Sequence, residues 1–381
     1  MANQFIWWEA TLPTATWLVW RANSGGQSTF CKAAATAAKS RKARHALMLL
    51  AMSIAIWGSC ADRTATAGEI GHYAPGLISI RDYIMPADPG FYSSIYNYYY
   101  HSDRLNDADG NKKDGIQLAP GAPKTHVDVD ADVFVTVPSL LWVSPWTILG
   151  ARYGAYIAPS FANSSAGAAL DSIRGDGHNP SVSSYGLGDL YVQPLWLDWS
   201  RQHWDFALGY GFYAPTGKYD VESKFIPGAG RQRVEATDNI GLGYWTHQFQ
   251  AAFAYYPFDN KGTSITTAVT YELNQGKDGF DYTPGSRISV NWGISQYLPI
   301  SADNKLLLEL GPTGYSQWQV SDDTGHDVTS NARDQVHAVG AQLGLTVAPW
   351  NAAVNLHYFH ELMSQDRLLG DVFGLNVAFK W

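Results

Sequence analysis

The chain has 381 residues, of which 16% are charged, 14% are aromatic and 36 are glycine; it is too apolar for a disordered protein and too rich in Tyr, Trp and Gly for an ordinary helical enzyme. A net charge of -8 and a pI near 5.7 argue against a nucleic-acid partner, because binding phosphate backbones needs a basic surface. The two cysteines, Cys31 and Cys60, both precede the expected cleavage site, so the mature chain is expected to hold no disulfide, and neither a metal nor a cofactor is expected.

Residues 1–67 read as an upstream extension followed by a Sec signal peptide. Lys39, Arg41, Lys42, Arg44 and His45 form its positive region, Ala46 to Trp57 its apolar core, and Ala65-Thr66-Ala67 a small-residue cleavage site. The core is shorter than the roughly 18 residues a spanning helix needs. A lipoprotein site at Cys60 is disfavoured by the preceding Ile56-Trp57-Gly58-Ser59. Residues 1–38 precede any ordinary signal peptide and are expected to reflect a start codon set too early, which N-terminal sequencing of the precursor checks.

Residues 68–90 carry much Pro and Gly and little alternation. Such backbone has no hydrogen-bond partners against lipid, so the segment is expected in the periplasm or as a plug inside a barrel. A first strand from Phe91 places Tyr92, Tyr96, Tyr98 and Tyr100 on one face. The loop after it holds Asp103, Asp107, Asp109, Asn111 and Asp114, but its Gly is misplaced for an EF-hand and no Glu closes it; a solvated outer loop is the expectation.

From Thr125 to Val137 the odd positions Val127, Val129, Ala131, Val133, Val135 and Val137 are apolar and alternate with Asp128, Asp130 and Asp132. Period 2 means opposite faces, so the valines are expected toward lipid and the aspartates toward an enclosed lumen. The strand Trp146 to Ala158 then turns Arg152 inward. Gly188 to Leu197 places Leu190, Val192, Pro194 and Trp196 outward and Asp189, Tyr191 and Gln193 inward, with a bulge expected at Pro194. Trp204 to Tyr213 sends Trp204, Phe206, Leu208, Tyr210 and Phe212 out and Asp205 in.

Further strands are expected at Gly241 to Tyr256, Thr263 to Glu272, Arg287 to Tyr297, Lys305 to Trp318, His337 to Val347 and Ala352 to Met363. Short turns alternate with long loops throughout. The last stretch, Asp371 to Trp381, is apolar at Phe373, Leu375, Val377, Phe379 and Trp381. About 9 to 11 residues of this pattern, with aromatics at the interfaces, suit a tilted membrane strand. The expected fold is therefore all-β: a transmembrane antiparallel β-barrel of about twelve strands over residues 91–381, with a secreted β-sandwich as the alternative. The terminal strand resembles the targeting strand of bacterial outer-membrane barrels, which implies outer-membrane lipid and the barrel assembly machinery as partners in a Gram-negative cell.

By the same parity the lumen receives Asp128, Asp130, Asp132, Asp189, Asp205, Glu272, Glu309 and Glu361 against Arg152 and Arg287. An open pore with that excess favours cations; a plugged one lets the acids pair with the plug. Tyr92, Tyr96, Tyr98, Tyr100, Tyr191 and Tyr213 offer an aromatic path, although girdle and packing roles explain tyrosines equally well.

The mature chain also resembles the outer-membrane family named for the meta-pathway of phenol degradation. The likeness rests on Gly71-His72-Tyr73-Ala74-Pro75-Gly76, Asn97-Tyr98-Tyr99-Tyr100, Leu149-Gly150-Ala151-Arg152-Tyr153-Gly154, Gly188-Asp189, Ala214-Pro215-Thr216-Gly217-Lys218-Tyr219-Asp220, Tyr271-Glu272-Leu273-Asn274, Gly314-Tyr315 and Asp323-Thr324-Gly325. The chain departs from it near Tyr282 to Gly285. The resemblance implies a channel taking up small hydrophobic or aromatic compounds and brings no catalytic residues. The alternatives are a non-conducting structural or surface-binding barrel, and an enzyme. Neither Gly-x-Ser-x-Gly nor His-Glu-x-x-His occurs, and in His357-Tyr358-Phe359-His360-Glu361 a strand turns His360 away from His357 and Glu361.

Overall fold

The fold is taken from a computed structural model, which describes residues 71–113, 115–117, 124–126, 131–163, 185–226, 230–236, 238–328 and 332–381. The expected extension and signal peptide, both cysteines, Asp128 and Asp130 lie outside the described residues.

Twelve long strands close into one antiparallel barrel. In chain order they are β1 (Gly90–Ser102), β4 (Ala131–Ile148), β5 (Ala151–Asn163), β6 (Tyr185–Ser200), β7 (Trp204–Ala214), β10 (Thr246–Tyr255), β11 (Thr263–Asn274), β12 (Arg287–Pro299), β13 (Leu306–Gln319), β14 (Gln335–Val347), β15 (Ala352–Gln365) and β16 (Asp371–Lys380). Two small hairpins rise from the long loops: β2 (Gly115–Gln117) with β3 (Lys124–His126), and β8 (Val221–Ile226) with β9 (Gly230–Glu235). The expected strand count holds; the hairpins had no clear periodic signal.

Closure falls to the terminal strand. β16 pairs with β1 from Tyr92 opposite Lys380 to His101 opposite Asp371, and Trp381 adds a backbone bond from its N–H to the Phe91 carbonyl at 3.0 Å. No ladder edge then faces lipid, where each unpaired backbone group costs several kcal/mol. Leu149 and Gly150, both at positive φ (53° and 74°), make the tight turn between β4 and β5.

Alternation decides which side chains meet the membrane. On β11 the side chains of Ile265 and Val269 stand exposed, while Ser264, Thr266, Ala268, Thr270 and Glu272 are buried. The outward rows supply an apolar belt that includes Trp292, Ile294, Leu343, Leu356, Phe373, Leu375 and Phe379. Such a belt, with a closed ladder behind it, is a transmembrane surface, and the chain is an outer-membrane barrel.

Two expected assignments of face are corrected. On β4 the valines point inward and Asp132 points out: Val137 is 8% exposed, whereas the Asp132 side chain is 52% exposed and accepts bonds from Tyr99 Oη (2.5 Å) and His101 Nδ1 (3.0 Å). The physical reason is that the lumen beside β4 is itself apolar, with Val133 and Val135 packed around Ala74, Leu77, Tyr98 and Tyr100. On β6 the register slips between Val192 and Leu195. Beyond Pro194 the parity reverses, so Trp196 and Asp198 turn inward and Leu195 turns out.

Candidate functional site: the occluded lumen

Residues 71–89 form no strand and lie within the barrel, their backbone satisfied by side chains of the wall. The Tyr73 N–H donates to Glu272 (2.9 Å), Gly76 to Asn291 (3.1 Å), Ile80 to Gln342 (2.9 Å) and Met85 to Asp198 (3.3 Å). In return Asn376 donates to the Leu77 carbonyl (3.1 Å) and Gln317 to that of Tyr73 (3.3 Å). Backbone without regular structure must find partners of this kind when buried, and six strands provide them. The segment runs from the long-loop end, at Asp189 and Glu272, to the short-turn end, where Lys380 holds Asp88 at 2.6 Å.

Each end of the segment pairs with an ionisable side chain of the wall. His72 is 2.9 Å from Asp189 and 2.8 Å from Thr246 Oγ1. The same Asp189 accepts the N–H groups of Gly217 and Leu242, tying the loop after β7 to this corner. Lower down, Arg81 reaches Glu309 (3.1 Å) and the carbonyls of Lys261 and Gly262, and its guanidinium lies 4.0 Å over the Tyr297 ring. Next to it Asp82 has its carboxyl pushed up to about 7, chiefly by desolvation, with the Glu309 charge adding and a Ser79 hydrogen bond opposing.

The structure places Asp189, Asp205, Glu272, Glu309, Glu361, Arg152 and Arg287 on the inner side of the wall. Each charge has a partner close by. Arg152 meets Asp198 at 2.5 Å, and Asp205 holds Lys261 (3.1 Å) and Tyr256 Oη (2.8 Å). Arg287 meets Asp334 at 2.6 Å with both side chains nearly fully buried. Arg367 stands 3.9 Å from Asp334 and 4.0 Å from Glu361, which also accepts from Tyr100 Oη, Tyr315 Oη and the Gly370 N–H. Periodicity missed His72, Arg81, Asp198, Asp334 and Arg367: three lie in irregular segments, one opens onto a strand from a loop, and Asp198 follows the slip at Pro194.

The tyrosines expected as a path form a bearing surface for the inner segment. His72 stacks on Tyr213 (4.8 Å), Tyr213 meets Tyr191 (4.6 Å), and Tyr191 meets Tyr156 (6.0 Å). Gly211 makes room for this column, since a Cβ there would come within 2.5 Å of Tyr191 Oη. Tyr96, Tyr98 and Tyr100 pack around Leu77. Tyr92 stands apart at the short-turn end, donating to the Asp88 carbonyl at 2.7 Å. A cavity of ≈ 10 Å³ between segment and wall, lined by Ile78, Ile80, Asn291 and Phe359 among others, has room for about one water.

His357 faces the lumen and His360 the exterior, where it bonds Asp371 at 2.8 Å, so the His-x-x-His-Glu cluster does not converge. In the loop after β1, Asp107 caps its own turn by accepting the N–H groups of Asp109 and Asn111.

Among solved structures the chain is similar to the COG4313 outer membrane channel of Pseudomonas putida F1, at 14% identity over 81% of this chain and 100% of that one, with a TM-score of 0.57. It is more remotely similar to the β domain of the Bordetella autotransporter BrkA (8% identity, 77% and 100% covered, TM-score 0.43) and to a mutant of TodX, a monoaromatic hydrocarbon channel (10% identity, 83% and 95% covered, TM-score 0.38). None of the curated proteins matches. The family described as the putative MetA-pathway of phenol degradation matches residues 102–377, and this chain belongs to that family.

Proposed function

We propose that the barrel carries small hydrophobic and aromatic compounds inward across the outer membrane, with residues 68–90 as its plug and residues 91–381 as its wall. The observation that supports this reading is the aromatic column Tyr213, Tyr191 and Tyr156 along the lumen, against which the inner segment rests through His72. Stacked rings offer a solute such as phenol the same faces they offer His72. Passage needs the segment to shift, because it lies within the barrel with its backbone bonded to side chains of six strands. The phenol-degradation description of the family and the channel function of its structural relative in Pseudomonas putida F1 agree with this. We assign the barrel no catalytic role.

The test is flux of phenol and toluene into liposomes carrying the intact mature protein and a variant lacking residues 68–90. Faster entry through the variant supports the proposal; no flux through either sinks it. The tightly bonded plug favours one second reading, a non-conducting surface barrel. Silence in planar-bilayer recordings with and without residues 68–90 marks that outcome.

A further inference from the structure

The inner segment puts one aromatic ring into a slot made by the barrel. The His72 side chain is 4% exposed. Its ring stacks on Tyr213 at 4.8 Å with 22° between the planes, and it meets Tyr244 edge-on at 4.9 Å and 77°. At the ring edge, Asp189 Oδ2 lies 2.9 Å from Nε2 and Thr246 Oγ1 lies 2.8 Å from Nδ1. Neighbouring strands bring these groups together: Tyr213 on β7 stands opposite Thr246 on β10 and opposite Tyr191 on β6, and Asp189 shares the face of Tyr191. The slot lies at the long-loop end, which faces the outside of the cell in outer-membrane barrels.

The slot is held by contacts that His72 does not supply. Asp189 accepts the N–H groups of Gly217 and Leu242 at 2.9 and 2.8 Å, and Tyr213 rests against Tyr191 at 4.6 Å. The Thr246 hydroxyl donates to Asn274 Oδ1 at 2.7 Å, and Asn274 is fixed in that orientation because its amide nitrogen donates to the Gly285 carbonyl at 2.9 Å. The oxygen that Thr246 turns to His72 is therefore an acceptor, as is the Asp189 carboxylate. Aromatic faces with acceptors at the rim suit a flat ring that carries an O–H or N–H donor.

We infer that this slot is the entry site for a phenol, with His72 as its resident stand-in; the inference rests on reading the barrel as a carrier of aromatic solutes. The phenol ring takes the place of the imidazole on Tyr213, beside Tyr244, and its hydroxyl donates to Asp189 Oδ2. Phenol is one heavy atom larger than the imidazole ring with its Cβ, so the space His72 vacates comes close to holding it. One ring occupies the slot at a time, so binding of phenol and docking of His72 exclude each other. Toluene has the same shape but turns a methyl group to Asp189, and a site built to hydrogen-bond its ligand rejects the analogue that lacks the group.

The experiment is a fluorine NMR titration of the full mature protein in lipid nanodiscs with 4-fluorophenol and 4-fluorotoluene. A slot filled about nine-tenths of the time by its own histidine shows about a tenth of its intrinsic affinity. His72→Ala is therefore expected to tighten 4-fluorophenol about tenfold over wild type, and 4-fluorotoluene by less than about twofold. Free imidazole is expected to displace 4-fluorophenol from His72→Ala competitively. Heat-modifiable gel mobility verifies that the variant barrel is folded. Equal affinities of wild type and His72→Ala for 4-fluorophenol overturn the slot, as do equal gains for the two probes or a failure of imidazole to compete. Phenol flux into liposomes with no change of binding in His72→Ala overturns the slot alone. The expected binding pattern without any flux overturns the channel reading and leaves the slot standing.

Discussion

Two arcs of the same wall behave differently. From β10 round to β16 the ladders keep step with one slip, between His337 and Ala338. From β4 to β7 three ladders slip four times: once between β4 and β5, twice between β5 and β6, and once between β6 and β7. In the regular arc apolar residues face lipid and polar ones face in, so Trp292, Ile294, Leu343 and Leu345 stand outward as their parity predicts. In the slipped arc apolar side chains share the inner face with Asp189, Asp198 and Asp205, and the inner segment presents Tyr83 and Met85 to Leu141, Val143 and Trp196. The regular arc is therefore the rail that carries most of the bonds to the inner segment, and the slipped arc is a seat that adds the packing of Tyr83 and Met85. The inner segment is held by bonds in both arcs, to Glu272, Asn291 and Gln342 in one and to Asp189 and Asp198 in the other, and the slipped arc adds the contact of Tyr83 and Met85 with Trp196.

The comparison breaks most readily at the rail. Arg287→Ala removes the nearest cation from Asp334 and Glu272 in a buried corner, and removal of one partner of a buried pair costs about 3–5 kcal/mol; guanidinium unfolding followed by tryptophan fluorescence is expected to show that loss. Arg333→Ala, which breaks an exposed pair with Asp322, is expected to cost about 1 kcal/mol or less in the same assay.

At the seat the expected effects fall on docking. Trp196→Ala removes a ring packed on Tyr83 and Met85, at about 3 kcal/mol or more for a buried aromatic, and is expected to raise conductance in planar bilayers. Trp292→Ala removes the same side chain from the lipid face and is expected to leave conductance unchanged. Equal conductance of the two variants would remove the distinction between the faces.

A pH effect separates the segment from the wall. Asp82 titrates at about 7 when docked and near its ordinary value when released. A group whose docked pKa is raised binds protons more tightly in the docked state. Docking is therefore strongest below pH 4 and weakens as pH rises through about 7. Protease accessibility of residues 71–89 is expected to increase from pH 5 to pH 8, and Asp82→Asn is expected to flatten that rise. The smallest expected change comes from Tyr92→Phe, which loses a single exposed bond to the Asp88 carbonyl and is expected to alter neither stability nor conductance measurably.

How much was legible follows from these arcs. β7 and β10 to β16 could be read from parity alone, because one face had to meet lipid and no slip intervened for most of their length. The same parity assigns Glu272, Arg287, Glu309 and Glu361 to the inner face. It does not reach their partners: Asp334 and Arg367 sit just outside strands, where period 2 carries no information, and His72 and Arg81 belong to a segment with no period at all. Asp132 and Trp196 were placed on the wrong face for separate reasons, one because an apolar row was taken to mean lipid, the other because a proline bulge shifts every later residue by one.

The residue pattern by itself determined a closed membrane barrel, since alternating apolar positions in some twelve segments satisfy their backbones in lipid only by pairing all round. Only the tertiary structure decided that residues 71–89 lie within the barrel, which face of β4 looks inward and where the strand register slips. Those outcomes depend on contacts between residues 71–89 and strands up to 299 positions away, and on where ladders lose step, neither of which is written in any local run of side chains.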